Sequence, residues 1–439
     1  MEYQSDGRWI DMRKDCYFCI DLKSFYASVE CVERGLDPLR ARLVVADNER
    51  GPATVCLAVT PPLKKLGIKS RCRIYQIPDS IQYIKAVPRM KLYMKYSARI
   101  YKIYLKYFDK DDIHVYSIDE AFIDAGRYLK MYGGDAEKLA LRITGEILKT
   151  TGITAACGIG TNLYLAKAAL DLIAKKEASG IAALNEQRYR ALLWDHKPLT
   201  DFWRIGKGTA QRLEKYGIYT MKQLALADRK LIYKTFGVDA ELMIDHAWGR
   251  ETVTMSDIKS YIPKEKSISA GQVLSRDYSA EEARLILKEI IGNLCLELVE
   301  KDILASAVSL DLSCPGSFSP GRAAARGSVK LPFHTDSYRI ISEKAVNLYD
   351  SITDRMTQEA GAACRIRRIN VAFSGITRGE NAQLDMFSGG ADYGKEREMA
   401  KTVIKIKDKF GKNSIFSGMS LQECATAIQR NGQIGGHKA

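Results

Sequence analysis

The sequence predicts a multidomain α+β protein whose first domain has a ferredoxin-like core, and three observations lead there. At 439 residues the chain exceeds one ordinary hydrophobic core. Residues 17–178 alternate strand and helix patterns in a β-α-β-β-α-β order, interrupted once by an insertion. Residues 267–373 carry a second alternation of strands and helices, set apart by a helical stretch and a polar linker.

The elements follow from local patterns. Residues 17–20 form an apolar strand ending at Asp21, and residues 22–33 place Phe25, Val29 and Val32 on one helical face. Residues 43–46 and 53–59 read as short strands, and Pro61-Pro62 opens a lysine-rich helical turn that ends near Gly67. The stretch 91–108 is a long helix with Tyr93, Tyr96, Tyr101, Tyr104 and Tyr107 at helical spacing, which favours core packing over base stacking. Residues 114–118 and 121–124 make a hairpin about the doublet Asp119-Glu120, followed by a helix at 136–150, a strand at 153–159 and a helix at 162–176.

Beyond residue 180 the pattern becomes helical, and residues 202–213 fit the turn of a helix-hairpin-helix. There Gly206, Lys207 and Gly208 let backbone N–H groups approach a phosphate. Residues 251–266 read as a linker. Strands at 267–274, 304–312, 328–333 and 366–373, with helices at 280–300 and 338–353, predict a separate domain of two helices on a four-stranded sheet. From residue 379 the chain reads as a tail with one amphipathic stretch carrying Met399, Val403, Ile404 and Phe410.

Charge indicates the partner. Lys and Arg number 67 against 53 Asp and Glu, a formal net charge of +14, which favours a polyanion and above all nucleic acid. Residues 51–108 hold twelve Lys/Arg and one acid, Asp79. Further along, Arg322, Arg326 and Lys330, then Arg365, Arg367 and Arg368, stand in stretches free of acids. They read as a second phosphate-facing surface, with solvated edge-strand charge as the alternative. The ten cysteines show no pairing pattern and suggest a reducing cytoplasm. Cys16 and Cys19 form a C-x-x-C inside a predicted strand and read as core. No apolar run reaches the ~18 residues of a membrane span.

Joining a nucleotide to a 3′-hydroxyl calls for two hard cations roughly 4 Å apart, held by carboxylates. Asp21 at a strand end and Asp119-Glu120 on a neighbouring hairpin can meet at one sheet edge, with the backbone carbonyl of Leu22 completing the set. Taken singly, Asp21 reads equally as a helix cap and Asp119-Glu120 as a solvated turn.

Four stretches carry a resemblance: Cys19-Ile-Asp-Leu-Lys-Ser-Phe-Tyr-Ala-Ser-Val-Glu30, Tyr116-Ser-Ile-Asp-Glu-Ala-Phe122, Gly158-Ile-Gly-Thr-Asn-Leu-Tyr-Leu-Ala-Lys167 and the Gly206–Gly208 hairpin. In order and spacing over roughly residues 15–375 the chain resembles a Y-family (translesion) DNA polymerase of the UmuC-like branch, close to UvrX-type proteins of Gram-positive bacteria. The resemblance implies a right-hand architecture: palm (15–36 and 91–178), small fingers (37–90), helical thumb (179–250), linker (251–266), α+β little finger (267–378) and tail (379–439). It implies lesion-bypass synthesis of low fidelity from deoxynucleoside triphosphates on primer-template DNA, with two Mg²⁺ ions, or Mn²⁺ as a substitute. Asp21, Asp119 and Glu120 would be the catalytic metal ligands, assisted by the Leu22 carbonyl. Phe25 and Tyr26 would face the nucleotide, with Tyr26 as the steric gate that excludes a 2′-hydroxyl. Lys167 would contact the triphosphate.

One departure from the family pattern puts Pro61 and Lys64 where a Tyr and an Arg are usual, leaving Lys64 or Lys65 as the triphosphate cation. In the tail, Gln383, Leu384, Asp385, Met386 and Phe387 resemble the pentapeptide that docks bacterial polymerases on the sliding clamp. An accessory subunit, a damage-induced role and a cytoplasmic, nucleoid-associated location are further implications. Three other readings are weighed: a non-catalytic clamp- and DNA-binding adaptor, against which the presence of all three acids argues; a nucleotide cyclase with a similar palm, which would need no helix-hairpin-helix, second basic domain or clamp peptide; and a DNA-binding scaffold.

Overall fold

A computed structural model describes residues 15–47, 51, 53–263, 267–314, 325–361, 363–379 and 390–439. Two compact units divide the chain, one ending at Tyr261 and the other beginning at Ile262.

In the first unit, strand β1 (Tyr17–Leu22) is buried along nearly its whole length, the pattern of a central strand. A turn through Ser24, whose φ of 50° is left-handed, leads into α1 (Phe25–Val32). The insertion follows as β2 (Leu43–Val45), β3 (Ala58–Val59), α2 (Pro61–Lys65) and β4 (Ile84–Ala86), and then comes α3 (Met90–Tyr104). The core resumes with β5 (Ile113–Val115), β6 (Glu120–Asp124), α4 (Ala136–Thr151), β7 (Ala155–Gly160) and α5 (Leu163–Ala168). Helix α5 runs on as a π-helical turn over Ala169–Ala174, and β8 (Ile181–Leu184) closes the sheet.

The strand order is β5-β6-β1-β7-β8. Its first four members have the ferredoxin-like order that the sequence predicts, and β8 adds a parallel edge to β7. That strand is missed by sequence reading because its four apolar residues are too few for a period to register. The insertion has its own three-stranded sheet, β3-β2-β4, over a small core of Val44, Val59, Leu63 and Cys56.

Two glycines let α5 lie directly on β7. A Cβ at Gly158 would stand 2.1 Å from the Ala166 carbonyl oxygen, and one at Gly160 would stand 2.1 Å from the Ala166 nitrogen. Only glycine permits that approach, and it brings Lys167 down to the sheet edge. Asn162 caps the helix by accepting from the Leu165 N–H at 2.8 Å.

The tyrosine helix is core, as its spacing predicts: Tyr93 and Tyr104 on α3, and Tyr107 just beyond it, are buried. The hydroxyls of Tyr93, Tyr96 and Tyr107 donate to Glu30, Glu33 and Glu146. The helical region comprises α6 (Glu186–Leu193), α7 (Lys207–Glu214), α8 (Met221–Ala225), α9 (Arg229–Phe236), α10 (Asp239–Trp248) and α11 (Met255–Ser260). It shares one hydrophobic core with the sheet through Tyr164, Leu165, Tyr189, Leu213 and Ile244. Helix α11 falls within the stretch expected as linker. Its capping box of Thr254 and Asp257 is the T-x-x-D start signal that its polar composition hides.

The second unit contains β9 (Ile268–Ser279), α12 (Ala280–Glu300), β10 (Ile303–Ser313), β11 (Ala325–Thr335), α13 (Tyr338–Ala360), β12 (Arg365–Ser374) and β13 (Thr377–Arg378). The antiparallel order β11-β10-β12-β9 differs from the first sheet, and β13 pairs with β10. Val308, Leu310, Leu312, Ile369 and Val371 share a core with Ile286, Ile290 and Ile341 of the two long helices. The chain beyond residue 390 is not a free tail. Helix α14 (Gly390–Phe410) ties Arg397 to Asp336 at 3.0 Å, and Thr426, just before α15 (Ala427–Asn431), binds the buried Glu289 at 3.1 Å.

Candidate active site

The register between β1 and β6 sets Asp21 directly opposite Glu120. Facing residues of an antiparallel pair project to the same side of the sheet, so both carboxylates share one face. Asp119 is the residue just before β6, its backbone carbonyl accepting from Leu22 N–H at 3.0 Å and its side chain accepting from Ser117 Oγ at 2.7 Å. The acids about a hundred positions apart in sequence therefore lie at one sheet edge, beside the end of β1 that carries Leu22. The left-handed Ser24 ends the strand there sharply; such conformations cost on the order of 1–3 kcal/mol and concentrate at functional sites.

Lysines on the α5 helix and its π extension hold these acids. Lys167 Nζ stands 2.6 Å from Glu120 and 3.1 Å from Asp171, and Lys175 Nζ stands 2.8 Å from Asp171 and 3.2 Å from Asp21. Charge thus alternates along one line: Glu120, Lys167, Asp171, Lys175, Asp21. The wider π turn keeps residues four apart on one side of the helix, which lets Lys167, Asp171 and Lys175 all face the sheet. Asp171 and Lys175 are absent from the sequence prediction, although their K-x-x-x-D-x-x-x-K spacing was visible. Cys19 also reaches the site, its thiol donating to Glu120 Oε1 at 3.3 Å. Both cysteines of the C-x-x-C are fully buried and all ten are free, in keeping with the core reading.

Burial is the first cause that pushes the Asp21 carboxyl up to about 6, reinforced by the charges of Asp119 and Glu120 and opposed by Lys175. Burial alone would lower the Lys167 ammonium, but Cys19, Asp171 and Glu120 outweigh it and raise it. Lys175 is raised for the same reason, with Asp21 and Asp171 overcoming burial. Among the described residues no three His, Cys, Asp or Glu side chains already stand at metal-ligand spacing. The donor set nonetheless fits a hard divalent cation, because carboxylate oxygens are its preferred ligands and those of Asp21 and Glu120 already take up two cationic ammonium groups.

The other expected residues fall as follows. Tyr26 is half-buried on the first turn of α1, and burial followed by the Asp119 charge raises its phenol. Phe25 is 2% exposed and packs in the core. Lys64, near the end of α2, has its ammonium lowered first by desolvation and then by the Lys175 charge, with Asp21 and Asp119 opposing. Lys65 is exposed beside it. Lys167 is 6% exposed and committed to Glu120, so it is no surface lysine.

Gly206 caps α7 and is exposed together with Lys207 and Gly208. A Cβ at either glycine would meet nothing within 4 Å, so the fold itself does not demand glycine there. In the second unit Arg326 and Lys330 are exposed, and Arg368 is half-buried. Arg326 pairs with Asp311 at 2.8 Å and Arg367 with Asp277 at 3.3 Å, while Arg365 is exposed at the start of β12. Arg322 and the peptide Gln383, Leu384, Asp385, Met386 and Phe387 lie outside the described residues.

The first unit is matched over residues 20–171 by the model of the impB/mucB/samB family, and residues 265–386 are matched by that family's C-terminal domain. UvrX of Bacillus subtilis (strain 168), named for UV-damage repair, is 32% identical over 426 residues, covering 96% of this chain and 97% of that protein. DNA polymerase IV 2 of the same strain is 29% identical over 429 residues, covering 97% and 99% respectively. Among solved structures, a Y-family DNA polymerase chimera aligns with a TM-score of 0.63 at 22% identity, covering 83% of this chain and 99% of that one, which establishes the shared fold. A sheet with the expected strand order, its acids paired across β1 and β6, thus coincides with matches spanning nearly the whole chain, and the chain belongs to the impB/mucB/samB family, is similar to UvrX and DNA polymerase IV 2, and shares its fold with a Y-family DNA polymerase.

Proposed function

We propose that this protein is a template-directed DNA polymerase of the lesion-bypass type, adding deoxynucleotides to a primer 3′-hydroxyl with low fidelity in DNA damage tolerance. The observation that carries the reading is the facing of Asp21 and Glu120 across two strands, with Asp119 adjoining. Residues 15–36 and 91–184 act as palm, the β8 strand moving the palm boundary past the expected 178, with 37–90 as fingers, 185–250 as thumb and 267–378 as little finger. Two Mg²⁺ ions, replaceable by Mn²⁺, would be held by Asp21, Asp119, Glu120 and the Leu22 carbonyl. When bound, such ions lower the pKa of the attacking hydroxyl and neutralise the leaving pyrophosphate.

The chain's own residues do the rest. Asp21 and Glu120, fixed by strand pairing and by Lys175 and Lys167, keep the ligand oxygens from reorganising during the reaction. Lys64, acted on by both aspartates, supplies the triphosphate cation in preference to Lys65, as a point charge without the bidentate fork of an arginine. Lys167 lies at the same edge, next to the phosphates, and Tyr26 packs beneath the sugar. The Gly206-Lys207-Gly208 turn, with Arg322, Arg326, Lys330, Arg365, Arg367 and Arg368, follows the DNA backbone, and Gln383 to Phe387 dock on a sliding clamp. Among the described residues no helix is long and apolar enough to cross a membrane.

The adaptor and scaffold readings require the acids to be dispensable. Primer extension with Mg²⁺ on intact and abasic templates separates the cases: the purified protein should add nucleotides distributively on both. A protein that binds primer-template and extends neither would be a scaffold, and the polymerase reading would fall.

A further inference from the structure

The ring of Tyr26 does not rest on yielding aliphatic packing. It stacks on Tyr93 of α3, with centroids 4.5 Å apart and planes at 18°, and Phe25 flanks it at 5.7 Å and 45°. Tyr93 is fully buried, and its hydroxyl donates to Glu30 Oε1 at 2.8 Å. Glu30 is in turn gripped by Arg89 through two hydrogen bonds of 2.9 and 2.8 Å and by Arg34. Beneath Tyr26, then, is a flat, buried aromatic floor whose hydroxyl is anchored to a charge-paired carboxylate.

A gate that works by exclusion discriminates only as strongly as its wall resists displacement. If the ring can tilt by a few tenths of an ångström, a 2′-hydroxyl finds space and the penalty falls. From this arrangement we infer that Tyr93 is a positioning residue for sugar selection, setting how firmly Tyr26 rejects ribonucleotides. The inference rests on the assignment of Tyr26 as the gate.

The test compares single-nucleotide incorporation of dNTP and rNTP, as the ratio of the two kcat/KM values, for wild type, Tyr26→Ala, Tyr93→Met and Tyr93→Phe. Methionine fills the space but is flexible and offers no flat face. Tyr93→Met should lower the discrimination ratio by about tenfold, the scale of one lost packing contact in a pocket, with the dNTP value little changed. Tyr93→Phe keeps the ring, while Arg89 and Arg34 still hold Glu30, and should retain the wild-type ratio. Relaxed selectivity in Tyr26→Ala beside a wild-type ratio in Tyr93→Met would overturn the inference, as would an equal loss in Tyr93→Phe or a fall in both substrates together. Unchanged selectivity in Tyr26→Ala would instead remove the gate assignment itself.

Discussion

Replacing Asp119 by alanine is expected to abolish primer extension, with a loss of at least about a thousandfold in kcat/KM. An acid that holds a catalytic cation contributes several kcal/mol to the transition state, and each ~1.4 kcal/mol is a factor of ten. Asp119 is only half-buried and its side chain takes up a Ser117 hydroxyl, so the fold should survive unchanged. Glu120→Gln should lose activity similarly while keeping a hydrogen-bond acceptor for Lys167, which also retains Asp171. Steady-state incorporation assays, paired with thermal melts, separate the two effects. Full extension by either variant would mean that the acids are ordinary turn residues.

The second large effect is on stability. Glu30 is fully buried in α1, where Arg89, Arg34 and Tyr93 all donate to its carboxylate. Removing one partner of a buried ion pair costs roughly 3–5 kcal/mol. Arg89 and Arg34 are partly exposed and can turn to water, so Glu30→Ala should fall at the low end, about 3 kcal/mol by urea unfolding. An exposed acid such as Glu214 on α7 should cost less than about 0.5 kcal/mol on the same substitution.

The pH dependence has a definite sign. Burial would raise the Glu30 carboxyl, but hydrogen bonds from Arg89, Arg34 and Tyr93 outweigh burial and hold it below its ordinary value. A folded pKa below the unfolded value, about 4.3, adds stability that is present above that pH and is lost as pH falls through the folded value. Glu30→Gln should therefore flatten the acid limb of the stability curve.

How much of this was legible in the sequence depended on whether the signal was local. Asp21 at a strand mouth and Asp119-Glu120 on a hairpin announce themselves through neighbours in the chain. Their direct facing is a matter of register, which the sequence does not print. Lys167 was read as a triphosphate contact, whereas its hold on Glu120 needs α5 pressed onto β7 through Gly158 and Gly160. Lys175 has no local sequence signal, because its partner Asp21 is distant in the chain and the π-helical turn that aims it has no simple composition signature. Strand β8 was too short to show a period, and α11 was masked by its polarity. Glu30 closed a matched stretch without its burial being foreseen, since the cations that neutralise it lie on another element and at the end of its own helix.

Metal binding tests the central claim independently of turnover. Mn²⁺ titrated into the full-length protein with primer-template and a non-hydrolysable deoxynucleotide, followed by electron paramagnetic resonance, should report tight sites in wild type. Asp21→Asn and Glu120→Gln should each weaken them by at least about tenfold, the low end for disturbing even an outer-shell partner. Wild-type affinity in both variants would contradict the account, because the facing carboxylates would then hold no metal.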